Sequence, residues 1–273
     1  MGYEYVLYGI AILFYGAASA ALVGYVYFKR WGQWARVLTW AAWSLHTVAL
    51  LLRVVETGRP PLLYLFETVS FFTWLVMLNY LVLELVLGLQ VVGVFVVPVT
   101  ALLLLTAGTL PRGALAAAPW LHGSWVMAHV SLGVLSYGGF ALAFIAGVMY
   151  LIQDWQLRRK EFRPMYYRMP PLEVLDSMGY YLILFGFPLL TLALLSGSLG
   201  AIPVWGGAWG TDPKVIWSLF TWVIYALYLY LRLVRGWGGR RAAVLAVVGF
   251  GAVLFNFFVI NLYMTELHRY VNL

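Results

Sequence analysis

Very few side chains in this sequence can do chemistry. His occurs four times, at positions 46, 122, 129 and 268, and Cys does not occur. Without Cys there is no disulfide framework, no thiolate metal site and no cysteine nucleophile. A neutral imidazole, by contrast, is a good axial ligand for the iron of a porphyrin. His129 follows Trp125 by one helical turn, and His268 lies near the end of the sequence. Between them runs Trp205-Gly-Gly-Ala-Trp209-Gly-Thr-Asp212-Pro213-Lys214-Val-Ile-Trp217. Gly and Pro prevent one continuous helix through this stretch. Trp205 and Trp209 would share a face if the segment were wound helically. Large flat side chains outside the spanning segments suit a flat aromatic ligand, with two imidazoles clamping its metal. The same Trp residues would also suit an aromatic belt beside a re-entrant loop. Either His alone would also suit an ordinary interfacial hydrogen bond.

The elements that must position these residues are membrane helices. Of 273 residues, 64% are hydrophobic and 10% charged, with a mean hydropathy of +0.89. A soluble domain is near half apolar and a quarter charged. An ordinary soluble enzyme, a disordered chain and a fibrous protein are therefore excluded. The apolar runs are continuous rather than alternating, which excludes a transmembrane β-barrel. The fold class is all-α and polytopic. Eight runs are long enough to cross a bilayer, near 5–28, 37–55, 64–87, 91–108, 125–150, 178–198, 215–234 and 242–264. No segment between them is long enough to fold alone, so residues 1–273 read as a single integral membrane domain. The first basic residue is Lys29, after the first run, which argues for a retained helix and against a cleaved signal peptide.

Basic residues orient the bundle. One set of connections holds Lys29, Arg30, Arg36, Arg158, Arg159, Lys160, Arg163, Arg168, Arg232, Arg235, Arg240 and Arg241. The opposite set holds Arg53, Arg59, Arg112, Lys214 and Arg269, so the split is 12 against 5. The richer side is expected to be cytoplasmic. Both termini, His129, His268 and the Trp-rich loop then face outward. The net charge of +7 belongs to these loops and not to nucleic-acid binding. Gln156–Arg168 reads as a charged, helical cytoplasmic loop. Two ionisable residues fall within spans: His46 in the second and Glu84 in the third. Intramembrane polar groups are costly and often functional. His46 is thus a candidate haem-binding residue, or a hydrogen-bonding partner of a neighbouring helix.

These motifs resemble the CcsA family of cytochrome c assembly proteins, within the Trp-rich "WWD" haem-handling superfamily. The resemblance rests on Gly186-Phe-Pro-Leu-Leu-Thr-Leu-Ala-Leu-Leu-Ser-Gly197, followed by Trp205-Gly-x-x-Trp209-x-x-Asp212-Pro213-Lys214-x-x-Trp217-Ser-Leu-x-Thr221-Trp222. Trp125-x-x-x-His129-Val130 with Ser136-Tyr137-Gly138 resembles the family's first external haem-ligand helix. Arg53…Gly58-x-x-Pro61…Phe66-Glu67 resembles its R…G-H-x-P…Y-E segment, and Asn261-Leu262…Leu267-His268 the segment carrying the second external His.

The resemblance implies a haem-handling protein of the plasma or inner membrane, with its active face extracytoplasmic. Haem b, as bound substrate, would sit between His129 and His268 against Trp205, Trp209, Asp212 and Trp217. Apocytochrome c, through a CxxCH motif, would receive it by thioether attachment. The implied activity is of the system II type, as one subunit of a holocytochrome c synthase beside a CcsB-like membrane partner. The sequence departs from the family at Thr211, Val215 and Ile216, where the Trp motif normally reads W-x-W-D-P-K-E-T-W. It departs again at Arg59, Tyr64 and Tyr230, the last replacing an intramembrane His. These departures suit an alternative, a HemX-like membrane regulator of glutamyl-tRNA reductase with no ligation activity. A secondary transporter fits poorly, because paired broken helices are missing.

Overall fold

The computed structural model describes residues 3–62, 64–110 and 124–264, apart from the side chains at 124, 204–205, 207–209 and 261–264. His122 and His268 lie outside the described residues. The described residues hold eight α-helices: α1 (Tyr3–Tyr27), α2 (Trp31–Thr57), α3 (Leu65–Leu87), α4 (Gly93–Gly108), α5 (Ser124–Arg159), α6 (Leu172–Trp205), α7 (Pro213–Leu233) and α8 (Gly239–Leu254). There is no strand among the described residues. Among the described residues, eight segments are long and apolar enough to cross a membrane, the last running from Gly239 to Ile260. The eight apolar runs read from the sequence correspond to them one for one.

Polar ties across the helix ends fix the alternating directions. Arg36, near the start of α2, meets Glu84, near the end of α3, at 2.7 Å. At the other end of the same helices, Arg53 meets both Glu4 of α1 and Glu67 of α3. Arg232, late in α7, meets Asp176, early in α6, at 2.6 Å, and the same carboxylate accepts from the Gly239 N–H that opens α8. Helices α1–α4 pack mainly on one another, as do α5–α8, and α3 against α5 joins the two groups. At that seam Gly138 of α5 faces Asn79 of α3.

Small residues allow the second group to pack closely, as is usual where lipid supplies no hydrophobic drive between helices. A Cβ at Gly147 would lie 3.0 Å from the Ala243 carbonyl of α8. One at Gly186 would lie 2.7 Å from the Phe140 ring. Helix α5 is consequently the centre of this group, touching α6, α8 and α3.

Three local features differ from the sequence expectation. Helix α5 has 36 residues and α6 has 34, about 54 and 51 Å at 1.5 Å per residue. The apolar runs marked only their membrane portions, and both helices continue beyond the ~30 Å hydrocarbon thickness. Gln156–Arg168 is helical only as far as Arg159. Lys160 adopts a left-handed conformation (φ 57°), and the Glu161 N–H reaches back to the Gln156 carbonyl at 3.1 Å. This pairing closes the helix, and turns occupy most of the way to α6. Finally, the eighth span does not remain α-helical. Phe255–Met264 is wound as a π-helix, which is common at functional sites.

Candidate functional site

Among the described residues, the candidates on α5, α7 and the stretch between α6 and α7 gather at the end of the bundle opposite the arginine-rich connections. His129, in the second turn of α5, turns its ring onto α6. Its Nδ1 lies 2.7 Å from the Ala193 carbonyl oxygen. A carbonyl only accepts, so Nδ1 carries the proton and donates. This is the second-sphere arrangement that orients a metal-binding imidazole and raises its basicity. Gly197 makes the approach possible. A Cβ there would sit 2.5 Å from Cε1 and 2.7 Å from Nδ1 of His129. One turn nearer the end, Gly200 likewise makes room for the Trp125 ring. The small-residue face of α6 is thus moulded to two α5 side chains, Trp125 and His129.

The Trp-rich stretch is not a loose loop. Helix α6 runs through Pro203 to Trp205, and Gly206–Thr211 forms a 3₁₀ segment. Pro203 withholds an N–H from the last turn of α6, and Gly206, at φ 59° and ψ −134°, takes a conformation open to glycine that stops the helix. Asp212 then caps α7. Its Oδ1 accepts from the Lys214 N–H at 2.8 Å, with Pro213 in the first helical turn. Trp217 is half-buried, and its indole N–H donates to the Ala252 carbonyl at 2.9 Å. Its ring packs on Phe255 (4.6 Å between centroids) and Phe220. Asp212 and Trp217 therefore act first as positioning groups: one starts α7, the other pins α7 to the point where α8 becomes π-wound. The backbones of Trp205 and Trp209 are placed beside this frame, while their side chains lie outside the described residues.

Asn256, within the π-helix, donates to Ser218 of α7 at 2.9 Å and to the Tyr137 hydroxyl of α5 at 3.4 Å. It ties α5, α7 and α8 together just below the candidate site. Sequence reasoning missed it, although Asn in an apolar span is itself a signal.

A second polar cluster occupies the same end in the first helical group. Arg53 donates to Glu4 Oε1 at 3.1 Å and to Glu67 Oε1 at 3.0 Å. Arg59 makes two further bonds to Glu67, at 2.8 and 3.1 Å, and stacks over Tyr64. Two acids and two bases thus neutralise one another in a nearly dry setting, as buried charges require. Gly58 ends α2 at φ 66°, which lets Arg59 fold back on Glu67. The R…G…P…E segment is therefore an ion network built around a turn. Glu4 was not foreseen as its fourth member.

His46 sits apart from His129, inside the first helical group. It is fully buried, with Nε2 3.0 Å from the Ser70 hydroxyl, which in turn donates to Tyr8. Tyr8 and Tyr15 meet its ring edge-on. Glu84, which had no sequence-assigned role, is the buried partner of Arg36. Tyr230, at the position of the family's intramembrane His, is exposed on the outside of α7. No group of three or more His, Asp or Glu side chains suited to a metal ion occurs among the described residues.

The fold defines a multi-pass helical membrane protein, with eight segments among the described residues able to cross a membrane. A family model described as "Cytochrome C assembly protein" matches residues 60–268. The chain belongs to this family. It is similar to "Cytochrome c biogenesis protein CcsA" of Guillardia theta, 32% identical, with 82% of this chain and 81% of the relative covered. The protein of the same name in Gloeobacter violaceus is 31% identical, covering 82% of each chain. That of Chlamydomonas reinhardtii is 33% identical, covering 86% of this chain and 67% of its own length. None of these three carries the name of a regulator. The family match begins after His46 and Arg53 and takes in His129, the whole Trp-rich stretch and His268.

Proposed function

We propose that this protein serves cytochrome c biogenesis by holding haem at the extracytoplasmic face and presenting it for covalent attachment. The haem is substrate, gripped between His129 and His268, with the segment from Trp205 to Trp217 as its platform. The observation that carries this reading is the His129–Ala193 hydrogen bond, which seats the ring on α6 through Nδ1, as the protein partners of metal-binding imidazoles do. Tryptophan faces suit the macrocycle. Fixing the haem with its vinyl edge outward would favour attack by proximity. In that attack each thiol of a CxxCH motif adds across one vinyl double bond. Sulfur bonds to one vinyl carbon and the thiol proton goes to the other, with no net oxidation.

His129 lies toward the pole with few basic residues, and in the sequence His268 follows the eighth span; the positive-inside rule supports an extracytoplasmic side for both, at the plasma or inner membrane. The chain has no Cys, so the acceptor thiols must be kept reduced by another protein. A CcsB-like subunit completes the synthase. The whole chain acts as one domain. We assign His46 to holding α2 against α3 through Ser70, rather than to the iron.

The test is functional. The chain and a CcsB-like partner are expressed with an apocytochrome reporter in cells lacking their own cytochrome c assembly genes. Covalent haem, detected by peroxidase staining of denaturing gels, is expected with the wild type and absent with His129→Ala. Equal staining with and without the chain would refute the reading.

A further inference from the structure

At the arginine-rich end, α5 projects beyond the hydrocarbon core and α8 begins beside it. Arg158 and Arg163 come from the α5 side, Arg240 and Arg241 from the first turn of α8. Arg158, Arg163 and Arg240 have side chains 64%, 65% and 60% exposed. The acids facing them are few. Asp154 lies 2.9 Å from Arg158 and 4.0 Å from Arg240, and Glu161 is 3.8 Å from Arg163. Asp176 is already engaged by Arg232 and the Gly239 N–H.

Two open troughs leave this cluster along the lipid-facing groove between α5 and α8. One, of about 640 Å³, is floored by Val148, Leu151 and Ile152. The other, of about 510 Å³, is floored by Leu245 and Val248. Arg158, Arg240 and Val244 line both. Trp155 and Trp237 stand at the rim under Arg163 and Arg241, at the depth where interfacial Trp sits.

We propose that this cluster is a binding site for a two-chain anionic phospholipid. The phosphate sits on the outer guanidinium nitrogens of Arg158 and Arg240, whose Nε atoms face Asp154 from the other side, and one acyl chain runs down each trough. Three observations point to this occupant. Positive charge exceeds negative at the rim. The two apolar troughs diverge from one shared arginine pair, which matches one headgroup with two tails. Arg240 and Arg241 stand in the first turn of α8, where the helix dipole disfavours cations, and an anion among them would reverse that penalty. Basic pockets between membrane helices bind such headgroups. The lipid would hold the ends of α5 and α8 together, and α5 also carries His129.

The test uses the full chain, purified in detergent, delipidated and titrated in native mass spectrometry. The probes are dioleoyl phosphatidylglycerol, dioleoyl phosphatidylcholine, inorganic phosphate and haem. Phosphatidylglycerol is expected to bind preferentially. The double variant Arg158→Gln/Arg240→Gln is expected to lose about thirty-fold in affinity for it. Val244→Trp, which fills the shared wall without altering charge, is expected to weaken it as well. Arg235→Gln, at the same end but outside the cluster, is expected to bind as the wild type does. Equal affinity for the two lipids would overturn the proposal. So would full competition by inorganic phosphate at equal concentration, or haem affinity falling in parallel with lipid affinity in the double variant.

Discussion

Gly197→Ala isolates the part of the site that the structure describes best, because it perturbs His129 without changing it. The added methyl would meet Nδ1 of His129 at 2.7 Å and Cε1 at 2.5 Å, both well inside van der Waals contact. The ring, as a side-chain end, is what gives way, and it cannot keep its 2.7 Å bond to the Ala193 carbonyl. The global cost is modest: about 0.5–1.5 kcal/mol for the hydrogen bond, offset in part by Ala replacing Gly within a helix. The local cost is larger. Losing the second-sphere partner of a metal-bound His typically lowers affinity about 10–100-fold. Haem titration followed at the Soret band, beside thermal unfolding in the same detergent, separates the two effects. Gly133→Ala is the control, since its nearest neighbour is Ala193 Cβ at 4.0 Å. It is expected to bind haem within about two-fold of the wild type, as for a Gly→Ala change without strain. If Gly197→Ala binds haem as tightly as the wild type and Gly133→Ala, then the seating of His129 on α6 does not prepare an iron ligand.

Further predictions follow from the packing. Glu67→Gln strips the shared carboxylate from Arg53 and Arg59 and should destabilise the fold by about 3–5 kcal/mol, read as a large fall in melting temperature; an unchanged value would mean that the network is solvated. Trp217→Phe keeps the ring against Phe255 but removes the bond to Ala252, with an expected loss of about 0.5–1.5 kcal/mol; a loss below measurement error would show that the indole N–H is not needed to pin α7 to α8. His46→Ala should lower stability through Ser70 and leave haem content unchanged, whereas loss of haem would place His46 in the haem path.

The sequence disclosed the number of spans, because hydropathy acts residue by residue. The third span, read as 64–87, is α3 at Leu65–Leu87. It could not disclose the lengths of α5 and α6, because a helix leaving the bilayer becomes polar without ceasing to be a helix. Asp154 and Trp155 lie beyond the run read as 125–150 and are still helical. The π-winding from Phe255 is a change in hydrogen-bond register and leaves no clear mark in an apolar sequence. At the site, residue types were legible and pairings were not. His129 stood out as a rare imidazole, but its partner is a backbone carbonyl, which no side-chain motif encodes. Gly197 closed the quoted motif with no stated purpose, and its purpose is the space it leaves for His129. Glu4 drew no reading from the sequence, although it completes the network of Arg53, Arg59 and Glu67.

The central claim is that this end of the bundle holds haem through two imidazoles. Its most direct test is an absorption spectrum with pyridine haemochrome quantification on the detergent-purified full chain. Wild type is compared with His129→Ala and His268→Ala, all expressed with haem supplementation. The account predicts a low-spin bis-imidazole spectrum in the wild type and loss of haem in either variant. A wild type without haem, or haem retained unchanged in both variants, would contradict it.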